Sequence, residues 1–150
     1  MFHRIAKASI LSTCIQKQQE LIDHFSQRME DVKTEAYNNN ETPSQTDEGS
    51  NSPEEFLQTL SQELDFAIAE MEVLRSIDTT NVAVQVERGA VVVTNHRTFY
   101  IGVSSEGIEI DGQKIFGMSE HAPLYNHMKG LRKGDSVEYN KTKYQIEDIF

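Results

Sequence analysis

Apolar residues recur at heptad spacing near the start of the chain. Between residues 3 and 36, one set of positions repeats every seven residues and a second set is interleaved with it. The first set is Leu11, Gln18, Phe25 and Val32, and the second is Ile15, Ile22, Met29 and Ala36. This spacing places both sets on one face, so it predicts a long helix that pairs with another helix.

A second helix is predicted from Pro53 onward. Ser52 supplies an N-cap, Pro53 occupies the first helical position, and Glu55 stands where a capping-box carboxylate is expected. The apolar residues of this helix again have three-four spacing: Leu57, Leu60, Leu64, Ala67, Met71 and Leu74, with Phe56 and Ile68 alongside to help cover the first helix. We therefore expect residues 1–79 to form an antiparallel coiled-coil hairpin with a tip loop at about 38–51.

From Thr80 onward the pattern changes to period two, which is typical of β-strands. The predicted strands cover residues 82–86, 91–93, 99–103, 108–110, 113–116, 137–139 and 144–149. Asp111-Gly112 favours a tight hairpin turn, and a short helix is predicted over 122–128, capped by Ser119 and ended by Gly130. The predicted fold class is α+β: the hairpin, then a small antiparallel sheet domain over 80–150 covered by one helix.

Charge is divided unevenly along the chain. Residues 1–79 carry six basic and fifteen acidic side chains, whereas residues 80–150 carry eight and nine. Between Lys33 and Arg75 there are ten acidic residues and no Lys or Arg. Because such a field repels nucleic acid at long range, binding to a phosphate backbone is disfavoured as the main activity. An acidic tip instead attracts a cation or a basic protein surface.

The sequence offers little catalytic or metal-binding chemistry of its own. Cys14 is the single cysteine, so no intramolecular disulfide can form and a thiolate metal site is disfavoured. His121 and His127 are six residues apart, a spacing that places them on different faces of a helix. No apolar stretch is long enough for a signal peptide or a membrane span, so a cytoplasmic protein is expected.

The heptads have two interpretations. Heptad repeats usually mean helix pairing, so periodicity alone favours an oligomerisation coil. The alternative is a probe that carries its loop to a distant site. A two-helix hairpin buries little surface compared with a globular domain, so its length needs a reason beyond stability.

A specific order of segments occurs in the second half of the chain: Gly89–Val93, Phe99–Gly102, Ala122–Leu124, Gly130–Tyr139 and Tyr144–Ile149. Its most specific motif is a glycine, three spacer residues, Gly-Asp, one residue and Val, within the fourth segment. Over about seventy residues, this order resembles the C-terminal domain of the bacterial transcript-cleavage factors GreA and GreB. A coiled coil followed by this domain is the architecture of that family, which favours the probe over the oligomerisation coil.

The resemblance implies both a fold and a function. In this family the C-terminal domain is FKBP-like without isomerase activity, and it docks on the rim of the secondary channel of RNA polymerase while the coil enters the channel. Tip carboxylates hold the second catalytic Mg²⁺ and an attacking water, so that the polymerase cleaves the 3′ end of backtracked RNA. Such a protein is a monomer that binds no cofactor itself, meets nascent RNA only inside the polymerase complex, and donates ligands rather than acting as an enzyme.

The usual tip motif of the family is absent here, so the tip candidates are chosen by their position in the chain. Asp47 and Glu48 are the first candidates for the catalytic, Mg²⁺-directed role, and Glu41 is the third. They are equally well explained as solvated loop acids. Arg28 and Lys33 are the basic residues near the tip, and they either hold RNA or balance neighbouring acids.

The short helix supplies the predicted polymerase-binding set: Pro123, Leu124, Tyr125 and Met128. Helical spacing makes the last three either core or docking residues, with core favoured for at least two of them. Ala122 departs from the family pattern, in which Ser precedes the proline, and Tyr125 stands where a small residue is usual.

Three other functions compete with transcript cleavage. A homologue with an altered tip would occupy the channel and modulate or inhibit transcription without stimulating cleavage. A coiled-coil adaptor would self-associate and present its sheet to another partner. A peptidyl-prolyl isomerase is suggested by the FKBP-like fold, but a chain without tryptophan has little to line a proline pocket.

Overall fold

The computed structural model describes residues 4–38 and 53–150. Helix α1 spans Lys7–Asn38 and helix α2 spans Pro53–Arg75. The later elements are, in order, β1 Val91–Thr94, β2 Thr98–Gly102, β3 Ile108–Ile110, β4 Gln113–Ser119, α3 Pro123–Met128, β5 Ser136–Tyr139 and β6 Thr142–Ile149. Two long helices and a six-stranded, mostly antiparallel sheet give an α+β fold, as predicted. None of the helices in these two ranges is long and apolar enough to cross a membrane.

Contacts divide the described residues into two compact units. The sheet unit comprises the residues up to Ile15 together with Val73–Phe150, and the helical unit comprises those from Gln16 to Glu72. Helix α1 thus contributes its first turns to one unit and the remainder to the other. The predicted domains divide the chain between residues 79 and 80, and that division stays a prediction.

In the helical unit, the heptad face of α1 is shielded from solvent. The heptad positions from Gln18 to Val32 are buried or half-buried, and the residues between them are exposed. The Gln18 side-chain amide donates to the carbonyl of Ala67 at 2.8 Å, while the Arg28 guanidinium lies 5.5 Å from the centroid of the Phe56 ring. Residues later in α1 therefore contact residues earlier in α2, as in two antiparallel helices.

Two apolar residues of α2 depart from the prediction. Phe56 and Ile68 are expected from the sequence to help cover the first helix, but both are exposed. The apolar residues on the shielded face of α2 in this unit are the three-four set: Leu57, Leu60, Leu64, Ala67 and Met71. Successive residues lie about 100° apart around a helix, so an immediate neighbour of this set is turned toward the edge of the shielded face.

The strand order is β3-β4-β2-β1-β6-β5. Strands β3 and β4 form the predicted hairpin, in which Asp111 and Gly112 have φ values of 53° and 80°. Strand β2, however, pairs in parallel with β4, with Thr98 opposite Ile115, so the prediction of a wholly antiparallel sheet is wrong at this pair. Hydrophobic alternation tells which face of a sheet a side chain occupies, but it carries no information about strand direction.

Both faces of the sheet are covered. One core cluster contains Tyr125 and Met128 of α3, and the other contains Ile5 and Ile10 from the N-terminal part of the chain. Residues 91–93 of β1 are accordingly all buried, as is typical of a strand that is covered on both sides. The predicted sheet covered by one helix is therefore incomplete, because the segment from Ile5 into the first turns of α1 covers the second face.

The segment from Val82 to Val86 is not a strand, contrary to the prediction. Val82 and Val84 are 69% and 64% exposed, whereas Ala83 and Val86 are buried. The backbone of Val86 exchanges two hydrogen bonds, of 2.9 and 3.0 Å, with residues 130–131. These bonds tie the segment to the loop after α3, a long-range partner that an alternating run of valines does not reveal.

Helix α3 begins differently from the prediction and ends as expected. Ser119 is not its cap: it ends β4, and its hydroxyl oxygen accepts a 3.0 Å hydrogen bond from the backbone N–H of His121. Ala122 occupies the N-cap position without a side-chain hydrogen bond. Gly130 follows the end of the helix with a φ of 83°, a conformation that costs glycine little.

Candidate partner-binding surfaces

Helix α3 exposes only part of the predicted docking set. Pro123, at the first helical position, is exposed, and Leu124 is half-buried. Tyr125 and Met128 are 8% and 0% exposed and belong to the core cluster on this face of the sheet. A fully buried side chain offers no surface to a partner. Pro123 and Leu124 are therefore the accessible members, and the other two hold the helix on the sheet.

Local contacts fix the orientation of this surface. The backbone N–H of Lys129 donates to the carbonyl of Tyr125 at 2.8 Å, closing the last turn of α3. The His127 ring lies 5.1 Å from the ring of Tyr139 in β5. Because the helix has contacts on its inner face and at its end, Pro123 and Leu124 are presented by a fixed element rather than by a free loop.

An ion pair joins Arg88 to Glu120, a residue just before α3 in sequence. Arg88 Nε donates to Glu120 Oε1 at 2.6 Å, and Glu120 stands three residues before Pro123. Both side chains retain substantial exposure, so the pair contributes at most about 1 kcal/mol to stability. The pair nonetheless places charged side chains beside the start of α3 in the sequence.

Val82 and Val84 are exposed apolar residues in a segment that the alternating pattern predicts to be a strand. Ala83, between them, packs in the same core cluster as Tyr125. The two exposed valines therefore belong to a segment anchored beside the core that also holds α3. The sequence signal at these positions is a run of β-branched residues, which predicts a strand and does not indicate which side chains a partner could reach.

The tip candidates Asp47, Glu48 and Glu41 lie outside the described residues. The two basic candidates, Arg28 and Lys33, are exposed side chains of α1. Arg28 stacks over the Phe56 ring, a cation–π contact worth about 0.5–1 kcal/mol at an exposed site. Of the two sets of tip candidates, the structure therefore describes the basic one.

Within residues 4–38 and 53–150, no group of three or more His, Cys, Asp or Glu side chains could hold a metal ion. Burial raises the pKa of the Cys14 thiol to about 11, so the thiol is protonated at neutral pH and is a poor nucleophile or metal ligand. His121 and His127 are both exposed.

No family model matches the chain, and no curated protein matches it. Solved structures that align with it include the crystal structure of GreA factor homolog 1 (Gfh1) of Thermus thermophilus, with 15% identity over 91% of this chain and 94% of that chain, at a TM-score of 0.33. A second structure, of the transcription factor Gfh1, aligns with 15% identity over 99% of both chains, also at a TM-score of 0.33. TM-scores of this size do not establish a shared fold, so neither match carries an argument about function.

Proposed function

We propose that this chain is an RNA polymerase-binding transcription elongation factor of the Gre type. In this proposal a coiled-coil hairpin enters the secondary channel, and an FKBP-like sheet domain docks on the rim. The observation that carries the proposal is the joint presence of two long helices with partners in antiparallel order and a sheet unit that contains the Gre-like glycine motif.

The glycine motif has a structural reason in this chain. Gly130 and Gly134 have φ values of 83° and 93°, which side chains with a Cβ rarely adopt. The backbone N–H of Gly134 donates to the carbonyl of Ile146 at 2.9 Å, at the turn that leads into β5. The spacing on which the resemblance depends therefore corresponds to two turns that require glycine.

In this proposal the acidic residues of the tip are the ones that act in cleavage. Asp47 and Glu48, with Glu41 third, would supply carboxylate oxygens to the second Mg²⁺ of the polymerase, since hard cations prefer oxygen ligands. The metal would polarise the scissile phosphate and activate the attacking water. The chain itself would not be an enzyme, because the reacting groups belong to the polymerase and its RNA.

The remaining candidates have positioning roles in this proposal. Pro123 and Leu124 would contact the rim of the channel, while Tyr125 and Met128 hold α3 in place from the core. Arg28 and Lys33 would lie toward the RNA. A monomer is proposed, because the apolar faces of α1 and α2 shield each other within one chain.

The proposal is tested with purified polymerase on a backtracked RNA. We expect the wild-type chain to accelerate cleavage by at least about tenfold, and Asp47→Ala with Glu48→Ala to remove that gain while polymerase binding is retained. Asp65→Ala with Glu72→Ala is the matched control. It removes the same charge from exposed positions of α2 and should leave cleavage unchanged.

The outcomes separate the competing functions. If the wild-type chain and both double variants bind polymerase without stimulating cleavage, transcript cleavage would be excluded as the function. That result would support a channel-binding modulator. A chain that does not bind polymerase would end the proposal. A stable dimer in a solution mass measurement would favour the adaptor instead.

A further inference from the structure

The helical unit carries an apolar groove on its surface. The groove has a volume of about 350 Å³ and is lined by Leu21, Phe25, Gln62, Glu63, Phe66, Ala67 and Glu70. Phe66 is 64% exposed and Leu21 is 38% exposed. Neither residue belongs to the sets that pair α1 with α2, so pairing of the two helices does not explain them. A contiguous exposed apolar patch of this kind is typical of an interaction site.

We propose that this groove binds a basic amphipathic helix of another protein. An amphipathic helix places apolar anchors at three-four spacing, which suits a groove that runs between two helices. Phe66 and Leu21 would pack against those anchors. Aromatic side chains at the centre of an interface commonly contribute most of its affinity.

The charges around the groove select a basic partner. Glu63 and Glu70 line it, and its lining contains no Lys or Arg. The Glu70 carboxylate accepts a 3.2 Å hydrogen bond from the Gln18 amide, and burial raises the pKa of Glu70. A cation from a partner would stabilise its ionised form. Lys17 stands one turn before Leu21 on α1, so the basic residues of the partner should lie on the α2 side.

Charge disfavours the two occupants that the chain itself could supply. A second copy carries a formal charge of −10 and, in a symmetric contact, would bring Glu63 and Glu70 close to the same acids. The segment between α1 and α2, residues 39–52, contains most of the predicted tip loop and carries Glu41, Asp47 and Glu48 without a Lys or Arg. A basic segment of a different protein is the occupant that complements this groove.

Fluorescence anisotropy of the full chain with a labelled leucine–lysine amphipathic peptide tests the proposal. A leucine–glutamate peptide with the same apolar pattern is the peptide control. We expect only the basic peptide to bind, and Phe66→Ala to weaken its binding by about tenfold or more. Ile68→Ala is the matched variant, since Ile68 is an exposed apolar residue of α2 outside the groove, and it should change affinity by less than about twofold.

A second pair of variants tests the charge component. Glu63→Gln with Glu70→Gln should weaken binding and reduce its dependence on salt, because the lost attraction is electrostatic. Circular dichroism should show unchanged helicity for all variants. The readout is independent of transcript cleavage, so the groove and the polymerase proposal can fail separately.

Three results would overturn the groove proposal. If Phe66→Ala and Ile68→Ala weaken peptide binding equally, the peptide binds to the acidic surface in general and not to the groove. A wild-type dimer that Phe66→Ala dissociates would identify a second copy as the occupant. Peptide binding that occurs only after residues 39–52 are replaced by a Gly-Ser linker would identify the tip as the occupant.

Discussion

The helical unit and the sheet unit bury their residues in different ways. Each helix of the helical unit shields one stripe of side chains, and the buried polar side chain in that stripe, Gln18, donates to Ala67 and Glu70. The sheet unit has a core cluster on each face of its sheet. A helix that is buried on one side has most of its surface free for partners. A sheet that is covered on both faces contributes more of the free energy of unfolding. The comparison predicts that the sheet unit stabilises the molecule and the helical unit presents its working surfaces.

Loss of a core side chain should cost much more in the sheet unit. Ile10→Ala removes a fully buried side chain and should lower the free energy of unfolding of this unit by about 2–5 kcal/mol. Ile22→Ala, at a half-buried position of the helical unit, should cost roughly 1–2 kcal/mol. Denaturation followed by NMR signals from each unit measures both values. Equal costs would contradict the difference between one-sided and two-sided burial.

An ion pair ties the N-terminal segment to the sheet and should make stability depend on pH. Arg4 Nε and Nη2 donate to the two carboxylate oxygens of Asp148 at 3.0 and 2.9 Å. The hydrogen bonds from Arg4 lower the pKa of Asp148 below its ordinary value of 3.8. Because the folded-state pKa is lowered, the stabilisation is present above the ordinary pKa and is lost as the pH falls through the folded value.

Arg4→Met should therefore be less stable than the wild type at neutral pH, and the difference should shrink as the pH falls below about 4. Urea denaturation across this pH range measures it. Lys129→Met, at an exposed position, is the control and should show no such convergence. A difference between Arg4→Met and wild type that is constant with pH would show that the ion pair is not its source.

The smallest expected effect concerns the hydroxyl of Tyr100. This oxygen is buried in the sheet unit and has no hydrogen-bond partner among the described residues, and burial raises the pKa of Tyr100. Tyr100→Phe keeps the ring and removes the unpaired group, so it should be neutral or stabilise by up to about 1 kcal/mol. Thermal denaturation checks the sign. A clear loss of stability would mean that the hydroxyl has a partner.

Local patterns predicted the helical unit better than the sheet unit. Heptad spacing identified the shielded face of α1, and Asp111-Gly112 identified the β3–β4 hairpin, because both signals lie within a few residues. The parallel pairing of β2 with β4 and the cover supplied by Ile5 and Ile10 depend on residues distant in sequence. For the same reason, the sequence does not reveal the hydrogen bonds of Val86, whose backbone partners follow α3.

The candidate surfaces show the same division. Helical spacing correctly favoured a core position for Tyr125 and Met128, since side chains three apart on a helix share a face. The exposed pair Val82 and Val84 was missed, because alternation alone cannot tell a strand from an extended segment that follows an irregular path. The groove around Phe66 depends on which neighbours α2 meets, and one helix considered alone does not reveal this.

The proposed function requires the tip to reach the active centre of RNA polymerase. The single native cysteine allows a direct measurement: Cys14→Ser with Thr46→Cys carries an iron chelate at the tip, and Cys14→Ser with Glu106→Cys carries it on the sheet unit. In a backtracked complex, we expect RNA cuts near the 3′ end from residue 46 and none from residue 106. No cuts from residue 46 in a complex that contains the bound chain would contradict it.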